Sequence, residues 1–169
     1  MLCDNKMDEI WRLSDLVSDP QLETAEDVRA YIRALTALIY DYKMVGLIYD
    51  VYAEDVEYHK QSGIRLHSPD DIARQVTELT AVFPDLRAQI DHIIVSPQGP
   101  DFFKVFRRLR FQGTCTGFSP YGPATGKSLG DRCLNLTMMY LKRIEGQWKI
   151  VFEVNSDSED LLRRVQTTD

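Results

Sequence analysis

The chain has 169 residues, a formal net charge of -6 and a hydrophobic fraction of 44%. That length is typical of one domain whose core needs no disulfide or metal staple. The acidic balance disfavours a nucleic-acid partner, because such proteins need a basic face to neutralise phosphates. No apolar stretch approaches the ~20 residues of a membrane span, and no export signal is recognisable at the N-terminus. We therefore expect no membrane partner and a cytoplasmic location, which the odd number of cysteines also fits.

The first half of the chain predicts helices. Residues 1–20 resemble a short helical extension that precedes the main domain. Thr24 and Asp27 then form the pattern of a capping box, with apolar residues recurring after them at helical spacing. A second helix start lies at Ser68-Pro69, where serine caps the helix and proline takes its first position.

The second half of the chain changes to the two-residue period of β-strands. A short strand is expected at 56–59, and four further strands are expected at 87–96, 102–113, 129–143 and 148–155. Two of these are longer than the usual five or six residues, so the sheet must bend. Helices laid across the concave side of a bent sheet enclose a pocket. The predicted fold class is α+β, with N-terminal helices packed on a curved antiparallel sheet in a single domain over residues 21–169.

Five short segments carry a resemblance to a known family. In chain order they are YAEDVEYH at 52–59, FPDLR at 83–87, GTCTG at 113–117, PATGK at 123–127 and GQWKI at 146–150. Their order and spacing resemble the SnoaL-like polyketide cyclases, which have the nuclear-transport-factor-2-like cone fold. The resemblance implies a cone with an internal pocket, a small apolar or aromatic carbonyl compound as substrate, aldol-type chemistry without a cofactor, and a homodimer formed through the sheet.

Asp157 is the predicted catalytic residue. The resemblance places a carboxylate that acts as general acid and base just before the last helix, where this chain has Asp157. Strand alternation puts Glu153 and Asn155 on the same face as Asp157, so this face is either exposed to solvent or a polar pocket wall that contacts substrate. A carboxyl buried in an apolar pocket would have a raised pKa suited to abstracting a carbon-bound proton. The alternative is that Asp157 only caps the last helix.

Four more residues complete the predicted site. His59 matches a pocket histidine of the family and would bind a substrate oxygen, and Tyr58 and Tyr121 would line the pocket. Cys115 replaces the histidine of the family's Gly-Thr-His-Thr-Gly motif, so it is expected to contact the substrate in place of an imidazole. Plainer alternatives are a surface position for His59 and inert packing for Cys115, while a nucleophilic pair between the two stays open.

Two other functions remain open from the sequence. The first is a non-catalytic ligand-binding or dimeric accessory domain, because Asn155-Ser156 stands where the family has an aromatic pair. The second is an epoxide-hydrolase-like water activator, which needs an Asp-Arg-Asp set that the predicted strand faces do not bring together. Arg108 is expected to point away from the pocket. The histidines and acids lack the spacing of metal ligands, so no metal site is predicted.

Overall fold

The computed structural model describes residues 2–168 of the chain. The helical elements are α1 (Leu2–Ser18), α2 (Ala25–Thr36), a π-helical turn (Ala37–Asp41), α3 (Leu47–Val51), α4 (Pro69–Val82) and α5 (Glu159–Gln166). The strands are β1 (Tyr52–Lys60), β2 (Arg65–Leu66), β3 (Arg87–Gly99), β4 (Phe102–Gln112), β5 (Cys133–Ile144) and β6 (Gln147–Asp157). The predicted order of helices followed by long strands is confirmed.

Both predicted helix starts are present. The Thr24 hydroxyl accepts from the Asp27 amide, and the Asp27 carboxylate accepts from the Thr24 amide at 2.8 Å, which completes a capping box for α2. Ser68 accepts from the Asp71 amide and Pro69 is the first residue of α4. Each cap pairs backbone amides that the first turn of a helix leaves without an internal partner.

One mixed sheet contains all six strands, in the order β2-β1-β6-β5-β4-β3. Strands β3 to β6 form the predicted antiparallel meander. Strand β1 adds a parallel pairing with β6, in which Tyr58 lies beside Glu153 and Lys60 beside Asn155. Sequence alternation carries no information on the direction of a partner strand, so this pairing was not foreseen.

The sheet is curved and does not close into a barrel. Register shifts interrupt the β3–β4 and β5–β6 pairs, and in β6 the shift leaves Val151 as an extra residue between Ile150 and Phe152. Such a bulge bends a strand and increases its twist. Because of it, Ile150 and Glu153 both face the concave side.

The concave face carries two apolar clusters. The first packs α1 to α4 against one end of the sheet, with Val28, Leu38 and Ile150 almost fully buried. It includes Leu13 and Val17 of α1, so the N-terminal extension shares the core of the rest of the chain. The second cluster surrounds Phe83, Leu86, Leu109 and Leu129 at the other end. Within the described residues, no helix is long and apolar enough to cross a membrane.

Candidate functional site

A band of polar side chains crosses the concave face between the two apolar clusters. Its members are Arg107 on β4, Asn135 and Thr137 on β5, and Glu153, Asn155 and Asp157 on β6. Sheet register holds them together, because Thr137 pairs with both Arg107 and Asn155, and Asn135 pairs with Asp157. We call these six residues the polar band.

Glu153 is the most deeply buried acid of the polar band, with 2% of its surface exposed. The Tyr52 hydroxyl donates to Glu153 Oε2 at 2.7 Å, and Arg107 Nη2 lies 4.0 Å from Oε1. Burial raises the pKa of Glu153, and the nearby Arg107 charge and the Tyr52 hydrogen bond only partly oppose that rise. The neutral, protonated form of Glu153 is therefore favoured more than in an exposed glutamate.

Arg107 is 9% exposed and is held by two hydroxyl groups. Its Nη1 donates to Thr36 Oγ1 at 2.8 Å and its Nη2 to Thr137 Oγ1 at 3.4 Å. The Thr137 hydroxyl in turn donates to Asn135 Oδ1 at 2.7 Å. Among the described residues, no acceptor lies within hydrogen-bonding distance of Arg107 Nε.

Asp157 ends β6 at the other end of the polar band. Asn135 Nδ2 donates to Asp157 Oδ1 and, at 2.9 Å, to Asn155 Oδ1, and Lys60 Nζ lies 4.0 Å from Asp157 Oδ2. Burial raises the pKa of Asp157, against the opposing effects of the Asn135 hydrogen bond and the Lys60 charge. The residue at the cap position of α5 is Ser158. The Asp157 carboxylate therefore contacts Asn135 in the polar band and does not occupy the cap position of α5.

The two ends of the polar band border different spaces. A small, partly enclosed cavity of about 30 Å³ lies beside Glu153 and Arg107 and is also lined by Tyr52 and Tyr58. A polar cavity of this size is large enough to hold a water molecule. At the other end, Asp157 borders an open groove of about 700 Å³. Asp157 thus lies at the edge of an open groove with 14% of its side chain exposed, whereas Glu153 is almost fully buried beside the cavity.

Three tyrosines, Tyr40, Tyr52 and Tyr58, surround the deep end of the polar band. Burial raises the pKa of each phenol, so all three remain protonated donors at neutral pH. Tyr40 lies in the π-helical turn that follows α2, a local geometry that is frequent at functional sites.

The structure brings four of the seven predicted site residues to this region, namely Tyr58, Glu153, Asn155 and Asp157. It does not bring His59 there. Tyr58 and His59 are adjacent in β1, so their side chains point to opposite faces of the sheet. The His59 ring packs on Phe152 at 5.4 Å on the outer face, with the Glu57 carboxylate 3.7 Å from its Nε2. The predicted position of His59 in the pocket is therefore wrong.

Cys115 and Tyr121 also lie elsewhere. Cys115 is fully buried in the second apolar cluster, among Phe83 and Leu129, where it acts as a small packing residue. His59 lies on the outer face of the sheet, whereas Cys115 is buried on the concave side. The alternative that these two residues form a nucleophilic pair is therefore also wrong. Tyr121 is 55% exposed on the loop after β4, with the Arg163 guanidinium 5.8 Å from its ring centre.

Arg107 is the site residue that sequence reasoning missed. Strict alternation along β4 already places it among the inward-facing Phe103, Val105 and Leu109. The neighbouring Arg108 points outward, as predicted, and contacts Asp91. Arg107 Nη2 lies 4.0 Å from Glu153 Oε1, an acid–arginine pair that the predicted strand faces did not bring together, and its charge also lowers the pKa of Asp157.

Comparison with known families gives one match. The family described as SnoaL-like polyketide cyclase matches residues 29–154, which include β1 and most of β6. No curated protein gives a significant match to the sequence. Among the described residues, no three His, Cys, Asp or Glu side chains are grouped closely enough to hold a metal ion.

Solved structures share the fold at low sequence identity. An uncharacterised protein with a cystatin-like fold from Caulobacter vibrioides has a TM-score of 0.60 and 14% identity, over 81% of this chain and 92% of its own. Aln2 from a Streptomyces species has a TM-score of 0.62 and 14% identity, over 86% and 98%. The hexachlorocyclohexane dehydrochlorinase LinA-type3 from Novosphingobium barchaimii has a TM-score of 0.58 and 14% identity, over 78% and 86%.

Proposed function

The chain belongs to the SnoaL-like polyketide cyclase family, and from that premise we propose that it is a cofactor-free enzyme acting on a small, mostly apolar or aromatic carbonyl compound. The proposed reaction is an aldol-type cyclisation or isomerisation. Asp157 is the proposed general acid and base. The observation that carries this proposal is the position of Asp157. Its carboxyl has a raised pKa, belongs to the buried polar band and borders an open groove.

The proposed step begins with an ionised Asp157 carboxylate. It takes a proton from the carbon next to the substrate carbonyl, and the C–H electron pair moves into an enolate. In a cyclisation the enolate carbon attacks a second carbonyl of the same molecule, and Asp157 returns the proton to the alkoxide oxygen that forms. In an isomerisation Asp157 returns the proton to a different carbon of the conjugated enolate. The raised pKa brings the carboxyl closer to neutral pH, where a general base is most effective. Asn135 holds the carboxyl in one orientation for this transfer.

The groove beside Asp157 supports a substrate that is partly apolar. Leu161 and Val165 of α5 provide apolar wall. The charged part of the lining is mixed, with the bases Lys127, Arg132 and Arg164 and the acids Asp157, Glu159 and Asp160. A ring compound with peripheral oxygens fits such a surface, because its apolar faces and its oxygens meet different parts of the wall.

Proton abstraction can be tested before the natural substrate is known. Incubating the protein in D₂O with a panel of cyclic and aromatic ketones should produce deuterium at the carbon next to the carbonyl, measured by mass spectrometry. Asp157→Asn should lower the exchange rate by about 100-fold or more, because the amide cannot accept the proton. Asp55→Asn, at an exposed position of β1, is the matched control and should exchange at the wild-type rate.

Circular dichroism and thermal unfolding should show that both variants keep the fold. Equal exchange rates in wild type and Asp157→Asn would remove Asp157 from the proposed mechanism. A protein that binds members of the panel but exchanges none of them would instead be a non-catalytic ligand-binding domain.

A second candidate function is activation of water, as in epoxide hydrolysis. Two observations favour it. Arg107 Nη2 lies 4.0 Å from Glu153 Oε1 and its charge also lowers the pKa of Asp157, and the small cavity beside Glu153 is large enough to hold a water molecule. Hydrolysis of an epoxide panel in H₂¹⁸O would place ¹⁸O in the diol product. Absence of ¹⁸O incorporation above the uncatalysed rate for every epoxide would exclude this function for the panel.

We also propose that the protein pairs with a second copy of itself through the outer face of the sheet. Four of its apolar side chains are exposed: Ile94, Phe106, Leu136 and Val154. Cross-strand pairing aligns Ile94, Phe106, Met138 and Val154 in one row across β3 to β6. A continuous apolar row on an otherwise charged sheet is typical of a contact surface between proteins.

A further inference from the structure

Arg107 carries a buried charge without a hydrogen-bonded anion. Its guanidinium donates only to the hydroxyls of Thr36 and Thr137 among the described side chains. The nearest carboxylate oxygen, Glu153 Oε1, lies 4.0 Å away, which is beyond hydrogen-bonding distance. Buried charges in proteins are normally paired with an opposite charge that also forms hydrogen bonds. The arrangement thus leaves the charge of Arg107 incompletely compensated.

The edge of the guanidinium that carries Nε is also unused. Arg107 is 9% exposed, and its Nε has no acceptor in the described part of the chain. A buried donor that lacks an acceptor is destabilising, so proteins rarely retain one without a reason. Arg107 also lines the small cavity, together with Tyr52, Tyr58 and Glu153. A ligand oxygen that enters this cavity would therefore meet a positive charge and a guanidinium whose Nε has no acceptor among the described residues.

We propose that Arg107 Nε–H binds an anionic oxygen of the ligand. Two sources share this chemistry: a carboxylate that the ligand carries permanently, or the enolate oxygen that forms when a proton is removed. The enolate source rests on the function proposed above and also requires the cavity to widen along the polar band as far as Asp157, whereas the carboxylate source holds for a non-catalytic binding protein as well. In either case the oxygen meets Nε, while Thr36 and Thr137 keep the other two nitrogens in place.

Glu153 is compatible with an incoming anion. Its burial raises its pKa, which favours the neutral carboxyl beside the binding position. The neutral carboxyl does not repel an anionic oxygen, and its own O–H is a further donor. Tyr52 already holds Oε2, so the Glu153 side chain is oriented before the ligand arrives.

A ligand larger than a few atoms requires the cavity to widen. Part of the cavity wall is formed by α4, through Ile72, Gln75 and Val76. The side chains of this helix form no hydrogen bond to the polar band among the described residues. An outward displacement of α4 therefore enlarges the cavity while the Arg107 contacts to Thr36 and Thr137 remain intact.

The first test observes Arg107 directly. In protein labelled with ¹⁵N-arginine, the Nε–H resonance of Arg107 is identified by its loss in Arg107→Lys, or by its shift in Thr36→Val if the lysine variant does not fold. Titration with formate and acetate should shift this resonance saturably. Formamide and acetamide, which have similar shapes but no charge, should bind about ten-fold more weakly or not at all. The exposed Arg74 and Arg143 are internal controls in the same spectra.

The second test separates the two sources with the exchange assay. If the oxygen is an enolate, Arg107→Lys should lower kcat by about 100-fold and leave KM nearly unchanged, because the contact strengthens only as charge develops. If it is a permanent carboxylate, the same variant should raise KM by about ten-fold or more with kcat largely kept. Lysine keeps the positive charge, so either loss reports the missing guanidinium geometry and not a missing charge.

The results of these two tests can be distinguished from a failure of the catalytic role proposed for Asp157. A saturable Arg107 shift without any exchange activity supports the anion site and contradicts the proposed enzyme. Shifts equal for carboxylates and amides, or equal for Arg107 and the exposed arginines, overturn the carboxylate source. If Arg107→Lys then also has unchanged kcat and KM, or if no exchange activity exists to measure, the proposal as a whole is overturned.

Discussion

At the scale of single residues, the protonation of Glu153 makes the free energy of unfolding depend on pH. Burial raises its pKa above the ordinary value of 4.5, against the opposing charge of Arg107. A carboxyl with a higher pKa in the folded protein than in the unfolded chain binds more protons when folded. The free energy of unfolding therefore falls as pH rises from about 4.5 through the folded-state pKa of Glu153.

Glu153→Gln should reduce the fall in the free energy of unfolding with rising pH. Glutamine keeps the shape of the side chain and still accepts from Tyr52, but it does not titrate. Urea unfolding at about pH 5 and about pH 8 would measure the difference, and the difference should be smaller in the variant than in wild type. Glu54→Gln, on the exposed side of β1, should behave as wild type. An undiminished fall in Glu153→Gln would show that this carboxyl does not titrate with a raised pKa.

At the scale of secondary-structure elements, the loop after β4 is pressed against the end of α4. The Gly117 amide donates to the Val82 carbonyl at 3.0 Å, and a Cβ at Gly117 would overlap the Ala81 carbonyl oxygen. Glycine is required here because two backbones approach closely. The second glycine of the GTCTG segment thus has a packing reason, whereas Cys115 in the same segment fills the second apolar cluster.

Gly117→Ala should lower the free energy of unfolding by about 1–3 kcal/mol, or more if the loop cannot shift. The physical reason is the overlap of the new methyl group with the backbone of α4. Urea unfolding measures the loss, and Gly46→Ala is the matched control because no atom lies within 4 Å of its added Cβ. A Gly117→Ala protein as stable as wild type would mean that the loop does not pack on α4 in solution.

At the scale of the whole molecule, the curved sheet has two faces with different proposed roles. The concave face holds the polar band, and the outer face carries the apolar row of Ile94, Phe106, Met138 and Val154. His59 and Phe152 lie on this outer face as well. If a second copy covers it, His59 contributes to assembly instead of catalysis.

The proposed dimer predicts that Phe106→Glu will be monomeric. A carboxylate in the middle of the apolar row would be buried without a partner in the pair, which is strongly unfavourable. Light scattering coupled to size-exclusion chromatography would measure the mass. Phe118→Glu is the matched control, because Phe118 is an exposed aromatic on the loop away from the sheet, and it should leave the mass unchanged. A wild-type protein that is monomeric at high concentration would refute the pairing.

The sequence by itself determined the local features of this protein. Helix starts at Thr24 and Ser68 were predictable because a cap and the amides it pairs lie within a few residues of each other. The common face of Glu153, Asn155 and Asp157 was predictable because alternation is a property of one strand. By the same rule Tyr58 and His59 cannot both face the pocket, so that part of the predicted site could have been corrected from the sequence.

Only the tertiary structure decided which of these faces meet. The parallel pairing of β1 with β6 sets Tyr58 beside Glu153 and depends on contacts between residues far apart in the chain. Arg107 has an inward position that alternation shows, but its hydroxyl partners come from α2 and β5, and its missing anion is visible only once both are in place. Local periodicity specifies elements and faces, whereas partners across the core are chosen by packing of the whole chain. The buried arginine with a free Nε is therefore a property of the fold that no segment carries alone.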